Sequence, residues 1–381
     1  MRIIYISTYP PTECGIATYT HYLQEEVQKK DIEVYILSQN GAKGENVFET
    51  YNPDDKDIAY KLFHMVAKLT PDLIHIQHEF GLFGYSRGVQ VVDFLLRCKL
   101  ASIPVVTTLH TVYKSPEWVE RVITSEILKL SKEVIVHEEY QKEFIESEYK
   151  CLNPVKVIPH GVRNVNSNQD AKKLLGLTDK KVVLLAGYFR TTKHFEKLVD
   201  IFPEVLAKVE NAVLLMACRL RISEHNEKLD KLMRMMRFLD SKEHIRILKG
   251  QFPQHTLDTI MSAADVVVMP YSAGAQSGML AQFSAHHIPT VTSDLLSFKL
   301  WNESTGGGLT SFTDEDFAFN ICKVLENDDY SMKMKEKIKE SNQQRYWDVI
   351  AAKHLRIYQN IVHKEDEIAE FFYVPKPDRQ K

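Results

Sequence analysis

The stretch that decides the fold reads Ala264-Asp265-Val266-Val267-Val268-Met269-Pro270-Tyr271, then Gln276-Ser277-Gly278-Met279-Leu280, then Ile288-Pro289-Thr290-Val291-Thr292-Ser293-Asp294. The first part has the apolar, β-branched pattern of a buried strand, the middle is a glycine-bearing loop that leads into a helix, and the last part is a second strand. In an open α/β sheet, this order places the helix start at the carboxyl edge of the strands. Free backbone N–H groups and the helix dipole favour an anion there, so the stretch predicts a phosphate or diphosphate site.

Length and composition predict a globular protein of two domains. The chain has 381 residues, of which 44 % are hydrophobic and 26 % are charged, and both fractions are ordinary for soluble domains. The formal net charge of −3 gives no reason to expect a nucleic-acid partner. No apolar run approaches the roughly 20 residues that span a bilayer, and residues 1–7 have the pattern of a strand and not of a signal peptide.

The cysteines favour a reducing compartment. Five occur without C-x-x-C spacing, at Cys14, Cys98, Cys151, Cys218 and Cys322. Scattered cysteines of this kind are typical of free thiols and not of a disulfide framework, a zinc site or an iron–sulfur site. We therefore expect a cytoplasmic protein that binds no metal.

Strand-like runs alternate with helical patterns along the chain, which predicts repeated β-α units and parallel sheets. The predicted strands lie near 2–7, 33–37, 73–76, 104–108, 133–137 and 155–158, and then at 182–186, 212–216, 245–248, 266–269 and 290–292. A polar segment of turn formers at 159–170 separates the two series and is typical of a linker. Ligands bind outside the carboxyl ends of such strands, so two Rossmann-like domains that face each other would form a cleft.

These patterns give four predicted segments. They are a first domain at 1–163, a second domain at 164–343, a terminal helix at 344–370 and a flexible tail at 371–381. The helix is predicted from apolar residues that recur on one side, and the tail from its prolines and charges.

Three segments of the first domain carry polar residues at predicted strand ends. Gly15, near the start of the first helix, would let the backbone approach a ligand, although a turn glycine without a ligand explains it equally well. His78 and Glu79 follow a strand, where polar groups are costly in a core but not in a cleft. A metal is disfavoured there because no third or fourth ligand is evident. His110 and Thr111 close another buried strand, and they either bind a sugar hydroxyl or cap the strand.

Two cations follow the first strand of the second domain, whose end is marked by Gly187. Arg190 and Lys193 precede a helix, and cations at such a junction can neutralise a diphosphate leaving group. A solvated basic loop is the alternative explanation. The diphosphate is favoured because the pair lies at the same predicted sheet edge as the helix start at 276–280.

The order and spacing of these motifs resemble the GT-B glycosyltransferases, in particular the retaining nucleotide-sugar transferases of glycosyltransferase family four. The matching pieces extend over nearly the whole chain, at 9–19, 75–84, 108–111, 157–162, 187–193, Gly250, 263–271 and 289–292. The resemblance implies two Rossmann-like domains that face across a cleft, with a C-terminal helix that crosses back to the first domain.

The resemblance also implies roles for individual residues. The second domain would hold the donor and the first domain mainly the acceptor. Arg190 and Lys193 would hold the donor diphosphate, and His110 would face the transferred sugar, as the catalytic residues. The donor-binding candidates are Gly15, Gly187, Gly250, Gln276, Ser277, Gly278, Met279, Leu280 and Gln282, and the acceptor-binding candidates are His78, Glu79 and Thr111. No metal or other cofactor is expected, because protein cations and helix dipoles can stabilise the leaving diphosphate.

The sequence departs from the family pattern at the donor site. The family usually carries two glutamates, eight residues apart, before the strand that begins at Pro289. The corresponding positions here are Gly274 and Gln282, and neither is acidic. Tyr188 stands where the family has an arginine directly after the glycine, so Arg190 is the substitute. We interpret these differences as a variant donor site.

We therefore predict a retaining transferase for a mannose- or glucose-type hexose. The donor would be a nucleotide diphosphate sugar, with GDP-mannose, UDP-glucose and UDP-N-acetylglucosamine all open. The acceptor would be a hydroxyl of a glycan, a lipid or a small molecule. Peripheral contact with a membrane surface and the oligomeric state are left open. Two alternatives are a non-catalytic GT-B subunit that binds an acceptor or a partner transferase, and another GT-B enzyme such as a sugar-nucleotide epimerase or a phosphorylase.

Overall fold

The computed structural model describes residues 1–149, 153–219, 230, 233, 243–273 and 278–371. The chain divides into two compact units. The first unit is Met1–Gly161 together with the segment from Trp347 onward, and the second unit is Val162–Tyr346. The predicted tail lies, beyond Phe371, outside the described residues. Both units are α/β, as predicted.

In the first unit, the described residues form a sheet of seven parallel strands in the order β3-β2-β1-β4-β5-β6-β7. The strands are β1 (Arg2–Ile6), β2 (Glu33–Gln39), β3 (Val47–Tyr51), β4 (Leu73–His78), β5 (Val105–Leu109), β6 (Glu133–Val136) and β7 (Val155–Val157). The helices are α1 (Gly15–Gln28), α2 (Ile58–Leu69), α3 (Tyr85–Gly88), α4 (Gln90–Leu100), α5 (Trp118–Leu130) and α6 (Glu139–Glu148). Four of the five inner strands, β1, β4, β5 and β6, are almost fully buried because helices cover both faces of a parallel sheet.

In the second unit, the described residues form a six-stranded parallel sheet in the order β10-β9-β8-β11-β12-β13. The strands are β8 (Lys181–Tyr188), β9 (Ala212–Arg219), β10 (Ile245–Lys249), β11 (Val266–Met269), β12 (Thr290–Thr292) and β13 (Gly308–Thr310). The helices are α7 (Ala171–Leu174), α8 (Phe195–Leu206), α9 (Gln254–Ser262), α10 (Gly278–Ala285), α11 (Leu296–Thr305), α12 (Asp314–Glu326) and α13 (Asp328–Asn342), with a 3₁₀ turn at Thr191–Lys193.

The terminal helix α14 (Trp347–Phe371) belongs to the first unit. It buries Trp347, Ile350 and Tyr358 in a core cluster that also contains Tyr5 and Tyr19 from the first strand and helix. Its apolar side therefore completes one face of the first sheet. Among the described helices, none has both the length and the apolar character needed to cross a membrane.

Candidate active site

Two glycines lie at the carboxyl edge of the second sheet, on either side of strand β9. Gly187 pairs in register with Cys218 of β9. Gly250 directly follows β10, and its N–H donates to the carbonyl oxygen of Cys218 over 3.1 Å. The φ angles of Gly187 and Gly250 are 130° and 148°, which residues with a side chain rarely adopt. Neither position therefore carries a side chain of its own at this edge of the sheet.

Lys193 returns to this edge from the 3₁₀ turn that follows β8. A Cβ atom built at Gly187 would lie 2.5 Å from Lys193 Nζ, so the ammonium group occupies the space that a side chain would need. Lys193 Nζ also lies 4.9 Å from the centre of the Tyr271 ring, which is within the range of a cation–π contact. The local backbone thus fixes the position of this charge.

The charge of Lys193 has no counter-ion within the part of the chain that the structure describes. Salt bridges there include many lysines, and Lys197, one turn further on, has Nζ 2.6 Å from Asp314 Oδ1, but no carboxylate lies that close to Lys193. Burial lowers the pKa of Lys193 to about 8, and the positive charge of Arg190 adds to this effect. Arg190 itself is exposed. Two cations that repel each other form a place where an added anion is stabilised.

The start of helix α10 reaches the same position. Met279, in its first turn, places Cγ 3.6 Å from the Cβ position built at Gly187. Among the described residues, no atom lies within 4 Å of the Cβ position built at Gly278, and Gly278 is exposed. Gly187 therefore lies next to both the Lys193 ammonium group and the Met279 side chain in the first turn of α10.

Three other predicted donor-binding residues lie nearby in sequence. Gln276 and Ser277 fall outside the described residues. Leu280 is buried in the core of the second unit, so its side chain does not reach a ligand. Lys193 and the first turn of α10 lie together beside Gly187, whereas the loop that precedes the helix is outside the described residues.

Gln282 is held by a polar network that the sequence analysis did not anticipate. Its side-chain oxygen accepts from Arg163 Nη2 over 2.9 Å, and Gln254 Nε2 lies 3.4 Å away. Arg163 also makes a bidentate pair with Asp258, which accepts further hydrogen bonds from Gln254 and from His286 Nε2. Burial raises the pKa of Asp258, but these hydrogen bonds outweigh burial and hold it at about 2. Gln282 thus helps to anchor α10 to α9 and to the segment after Val162.

His110 lies at the carboxyl end of β5 in the first unit. Its backbone N–H donates to the carbonyl oxygen of His78 over 3.1 Å. Its ring nitrogens both contact protein groups: Nε2 lies 2.8 Å from the side-chain amide of Gln77, and Nδ1 lies 3.4 Å from Nε2 of His137. Burial and the neighbouring histidines lower the pKa of His110 well below its ordinary value. His110 is therefore a neutral imidazole.

Tyr19 is the centre of a ring cluster around His110. The rings of His110, His137, His160 and Trp347 have their centres 4.9 to 5.2 Å from the centre of the Tyr19 ring. Tyr19 is 1 % exposed, and its hydroxyl has no hydrogen-bond partner among the described residues. The rings of Tyr19 and His137 pack against His110 and restrict the orientation of its ring.

The predicted acceptor-binding residues differ in their exposure. His78 is fully buried, and its ring stacks on Phe83 and meets the edge of Phe80, so its imidazole does not reach the surface of the first unit. Glu79 and Thr111 are half-buried, and the Thr111 hydroxyl donates to the Glu79 carboxylate. Burial raises the pKa of Glu79, and the Thr111 hydrogen bond partly offsets this shift.

Gly15 begins helix α1 and is exposed, and no atom of the described residues lies within 4 Å of its Cβ position. The backbone is therefore open to a ligand there. Among the residues that the structure describes, no group of three or more histidine, cysteine, aspartate or glutamate side chains is arranged to hold a metal ion.

Comparisons with known sequences identify both halves of the chain. Residues 14–164 match the model of Glycosyltransferase Family 4, and residues 166–342 match the model of glycosyl transferases group 1. No curated protein sequence matches the chain significantly.

Several solved structures are similar to the chain. One is HepE from Anabaena in complex with UDP and glucose, with a TM-score of 0.74, 14 % identity and coverage of 94 % of this chain and 100 % of HepE. Another is sucrose-phosphate synthase from Thermosynechococcus elongatus, with a TM-score of 0.77, 18 % identity and coverage of 96 % and 100 %. WaaG, a glycosyltransferase involved in lipopolysaccharide biosynthesis, has a TM-score of 0.67, 13 % identity and coverage of 94 % and 99 %. At these identities the likeness shows the fold. Together with the two family models, it shows that the chain belongs to the glycosyltransferases of the GT-B fold.

Proposed function

We propose that this protein transfers a hexose from a nucleotide diphosphate sugar to a hydroxyl acceptor, with retention of the anomeric configuration. One observation supports the donor site above all others: the Lys193 ammonium group has no counter-ion among the described residues and lies against Gly187, next to the first turn of α10. A diphosphate supplies the missing negative charge. The family membership supports transferase chemistry for this site.

The proposed reaction breaks the bond between the anomeric carbon and the diphosphate oxygen and forms a bond to the acceptor oxygen. The acceptor proton moves to the leaving phosphate oxygen on the same face of the sugar, so retention needs no protein nucleophile. Negative charge grows on the diphosphate as the first bond breaks. Lys193, Arg190 and the N–H groups at the start of α10 would stabilise that charge, and such preorganised groups are a large source of rate enhancement.

UDP-glucose is the first donor to test. HepE was solved with UDP and with UDP-glucose, and Staphylococcus aureus TarM was solved with UDP. These ligands belong to those proteins, and they support the choice of probe for this one. GDP-mannose and UDP-N-acetylglucosamine complete the donor panel.

The acceptor side of the proposal rests on the first unit. His110 would face the transferred sugar, and Gly15 would bring its exposed backbone to the phosphates. Glu79 and Thr111 are the accessible acceptor-binding candidates, whereas buried His78 would act through its packing on Phe83. A glycan, a lipid or a small molecule with a free hydroxyl would fit this chemistry.

A non-catalytic GT-B subunit is the second candidate function. It is favoured by Gln282, which stands at a position where the family usually has a glutamate and whose side-chain oxygen already accepts from Arg163. Such a subunit would bind an acceptor or a partner transferase without consuming a donor.

A donor-panel assay tests the proposal and separates it from the alternatives. The full-length protein is incubated with each nucleotide sugar and a mixture of hydroxyl acceptors in the presence of a chelator. We expect release of the nucleoside diphosphate, and a product whose anomeric configuration by NMR equals that of the donor. An inverted product contradicts retention, and an epimerised donor indicates the epimerase alternative. Absence of both binding and turnover with all donors supports the non-catalytic subunit.

The pH dependence of UDP binding tests the role assigned to Lys193. Below its pKa of about 8 the side chain is a cation, and above it the side chain becomes a neutral amine. Arg190 stays charged throughout. The Kd for UDP should therefore rise as the pH increases from 7 to 9, by at most about tenfold per unit above the inflection. Isothermal calorimetry across this range checks the prediction, and a flat profile would contradict it.

A further inference from the structure

A chain of hydrogen bonds in the first unit includes His110, and its donors and acceptors can be assigned one after another. The chain ends where His137 Nδ1 lies 2.9 Å from the carbonyl oxygen of Ile158. A carbonyl only accepts, so His137 carries its proton on Nδ1. His137 is buried, and burial lowers its pKa to about 3, so the ring is neutral and Nε2 is bare. The 3.4 Å contact with His110 then requires His110 to donate from Nδ1.

The next hydrogen bond of the chain joins His110 to Gln77. A neutral His110 with its proton on Nδ1 has a bare Nε2, which has to accept a hydrogen bond. In the structure the Gln77 side-chain oxygen lies 2.8 Å from that nitrogen, and the Gln77 amide nitrogen lies 3.3 Å from His75 Nε2. In this orientation two acceptors would face each other. A rotation of the amide by 180° places its nitrogen, which is a donor, opposite His110 Nε2. The oxygen and nitrogen ends of a glutamine amide are assigned from the hydrogen bonds that they make.

His75 and two tyrosines extend the chain with the same polarity. After the rotation, the Gln77 oxygen faces His75 Nε2–H, which also lies 2.8 Å from the Thr108 hydroxyl. His75 Nδ1 is then bare and accepts from the Tyr358 hydroxyl over 2.6 Å. The Tyr358 oxygen accepts in turn from Tyr5 over 3.1 Å. His75, Gln77, Tyr5 and Tyr358 are fully buried, so water does not compete for these bonds.

We propose that Gln77 and Tyr358 are positioning residues that hold His110 in the Nδ1–H tautomer. His110 then acts in the transfer as a hydrogen-bond donor to a substrate oxygen and not as a general base. The assignment of His110 to the sugar rests on the proposed function. The bond from His110 Nδ1 to His137 is the longest of the chain, at 3.4 Å, so it is the bond that a sugar oxygen can replace.

The proposal gives the terminal helix a role in the chemistry. Tyr358 belongs to α14 and does not touch His110, but its hydroxyl fixes the tautomer of His75. His75 then fixes the orientation of the Gln77 amide, and the amide fixes the tautomer of His110. A positioning residue of this kind affects the reaction through the protonation pattern of the residue it supports.

The test is the tautomer of His110, measured by nitrogen-15 NMR on the full chain with labelled histidine. Protonated and bare ring nitrogens have distinct shifts, and the signal missing in His110→Gln gives the assignment. We expect a protonated Nδ1 and a bare Nε2 in the wild type. Tyr358→Phe and Gln77→Met should each give a mixture of tautomers.

Tyr19→Phe is the matched control. It also removes one buried tyrosine hydroxyl, and its ring contacts His110 directly at 4.9 Å, but that hydroxyl has no hydrogen-bond partner in the described part of the chain. The variant should keep the wild-type tautomer. A wild-type His110 with a protonated Nε2 would overturn the proposal, and so would a Tyr358→Phe variant that keeps the wild-type tautomer.

Turnover separates the positioning role from a purely structural one. With UDP-glucose, or the donor that the panel identifies, Tyr358→Phe should lower kcat by about tenfold and leave the donor KM unchanged. An unchanged kcat in Tyr358→Phe would overturn the role in transfer. A wild type that transfers no sugar from any donor contradicts the proposed function instead, and the NMR result then decides the tautomer assignment by itself.

Discussion

Replacing Lys193 with alanine should lower kcat for sugar transfer by about two to three orders of magnitude, the usual effect of removing one preorganised group that stabilises developing negative charge. The Lys193 ammonium lies against Gly187 and 4.9 Å from the Tyr271 ring, and no carboxylate of the described residues neutralises it. The Lys193 charge would mainly stabilise the negative charge that develops as the diphosphate leaves, so its removal should slow that step. Steady-state kinetics with the donor identified by the panel measures the effect.

Lys197→Ala is the control for this variant. Lys197 lies on the following turn of the same segment, but its Nζ is 2.6 Å from Asp314 Oδ1 and 5.1 Å from the centre of the Phe317 ring, so its charge is already paired. We expect Lys197→Ala to retain kcat within about twofold, and both variants to keep the wild-type circular dichroism spectrum. Equal losses in the two variants, or full activity in Lys193→Ala, would show that Lys193 does not hold the diphosphate.

The second large effect concerns stability. Gly161→Ala should lower the free energy of unfolding by about 3 kcal/mol, in the upper part of the range for inserting a group into a packed site. A Cβ atom at Gly161 would overlap with three carbon atoms of the Trp347 indole. Trp347 is buried against Tyr19 at the start of α14, so the indole cannot move aside without disturbing the cluster around His110.

Urea unfolding monitored by tryptophan fluorescence measures this change. Gly81→Ala is the matched control in the same unit, because no atom in the described part of the chain lies within 4 Å of its Cβ position. Gly81→Ala should change the urea concentration at the midpoint of unfolding only slightly. If Gly161→Ala were as stable as Gly81→Ala, the packing of α14 on the first unit would not be as the structure shows it.

The sequence predicts the two sheets because their central strands are continuous apolar runs. Two strands were not predicted, and both lie at sheet edges. β3 (Val47–Tyr51) is half-exposed and includes Glu49 and Thr50, so it lacks the apolar run of a buried strand. β13 (Gly308–Thr310) has only three residues and begins with glycine, which is uncommon in strands.

The proposed donor site is partly predictable from the sequence because several of its residues are close together in the chain. Gly187, Arg190 and Lys193 lie within seven residues of one another at a strand-to-helix junction, so topology alone places them at one sheet edge. The network of Arg163, Asp258 and Gln282 has no such signal. Arg163 is 95 residues from Asp258 and 119 residues from Gln282 in sequence, and each residue has an ordinary local context.

The hydrogen-bond chain through His75, Gln77 and His110 could not be predicted from the sequence, for a different reason. His75 and Gln77 alternate with apolar residues on β4, a pattern that indicates one polar face, but the pattern does not tell whether that face meets solvent or another helix. Here the terminal helix supplies Tyr358, which bonds His75 and lets these groups be buried. A residue so distant in the chain cannot be recognised as a partner from spacing.

Lys193 has no counter-ion among the described residues, and we propose that the donor diphosphate supplies one, so the titration of Lys193 itself is the decisive measurement. NMR of the full chain with labelled lysine, with Lys193→Arg to assign the signal, gives the pKa without and with saturating UDP. We predict a pKa of about 8 in the free protein, and a clear rise when UDP binds, because a nearby anion favours the charged form. A pKa near that of an exposed lysine in the free protein, or one that UDP leaves unchanged, would contradict the account.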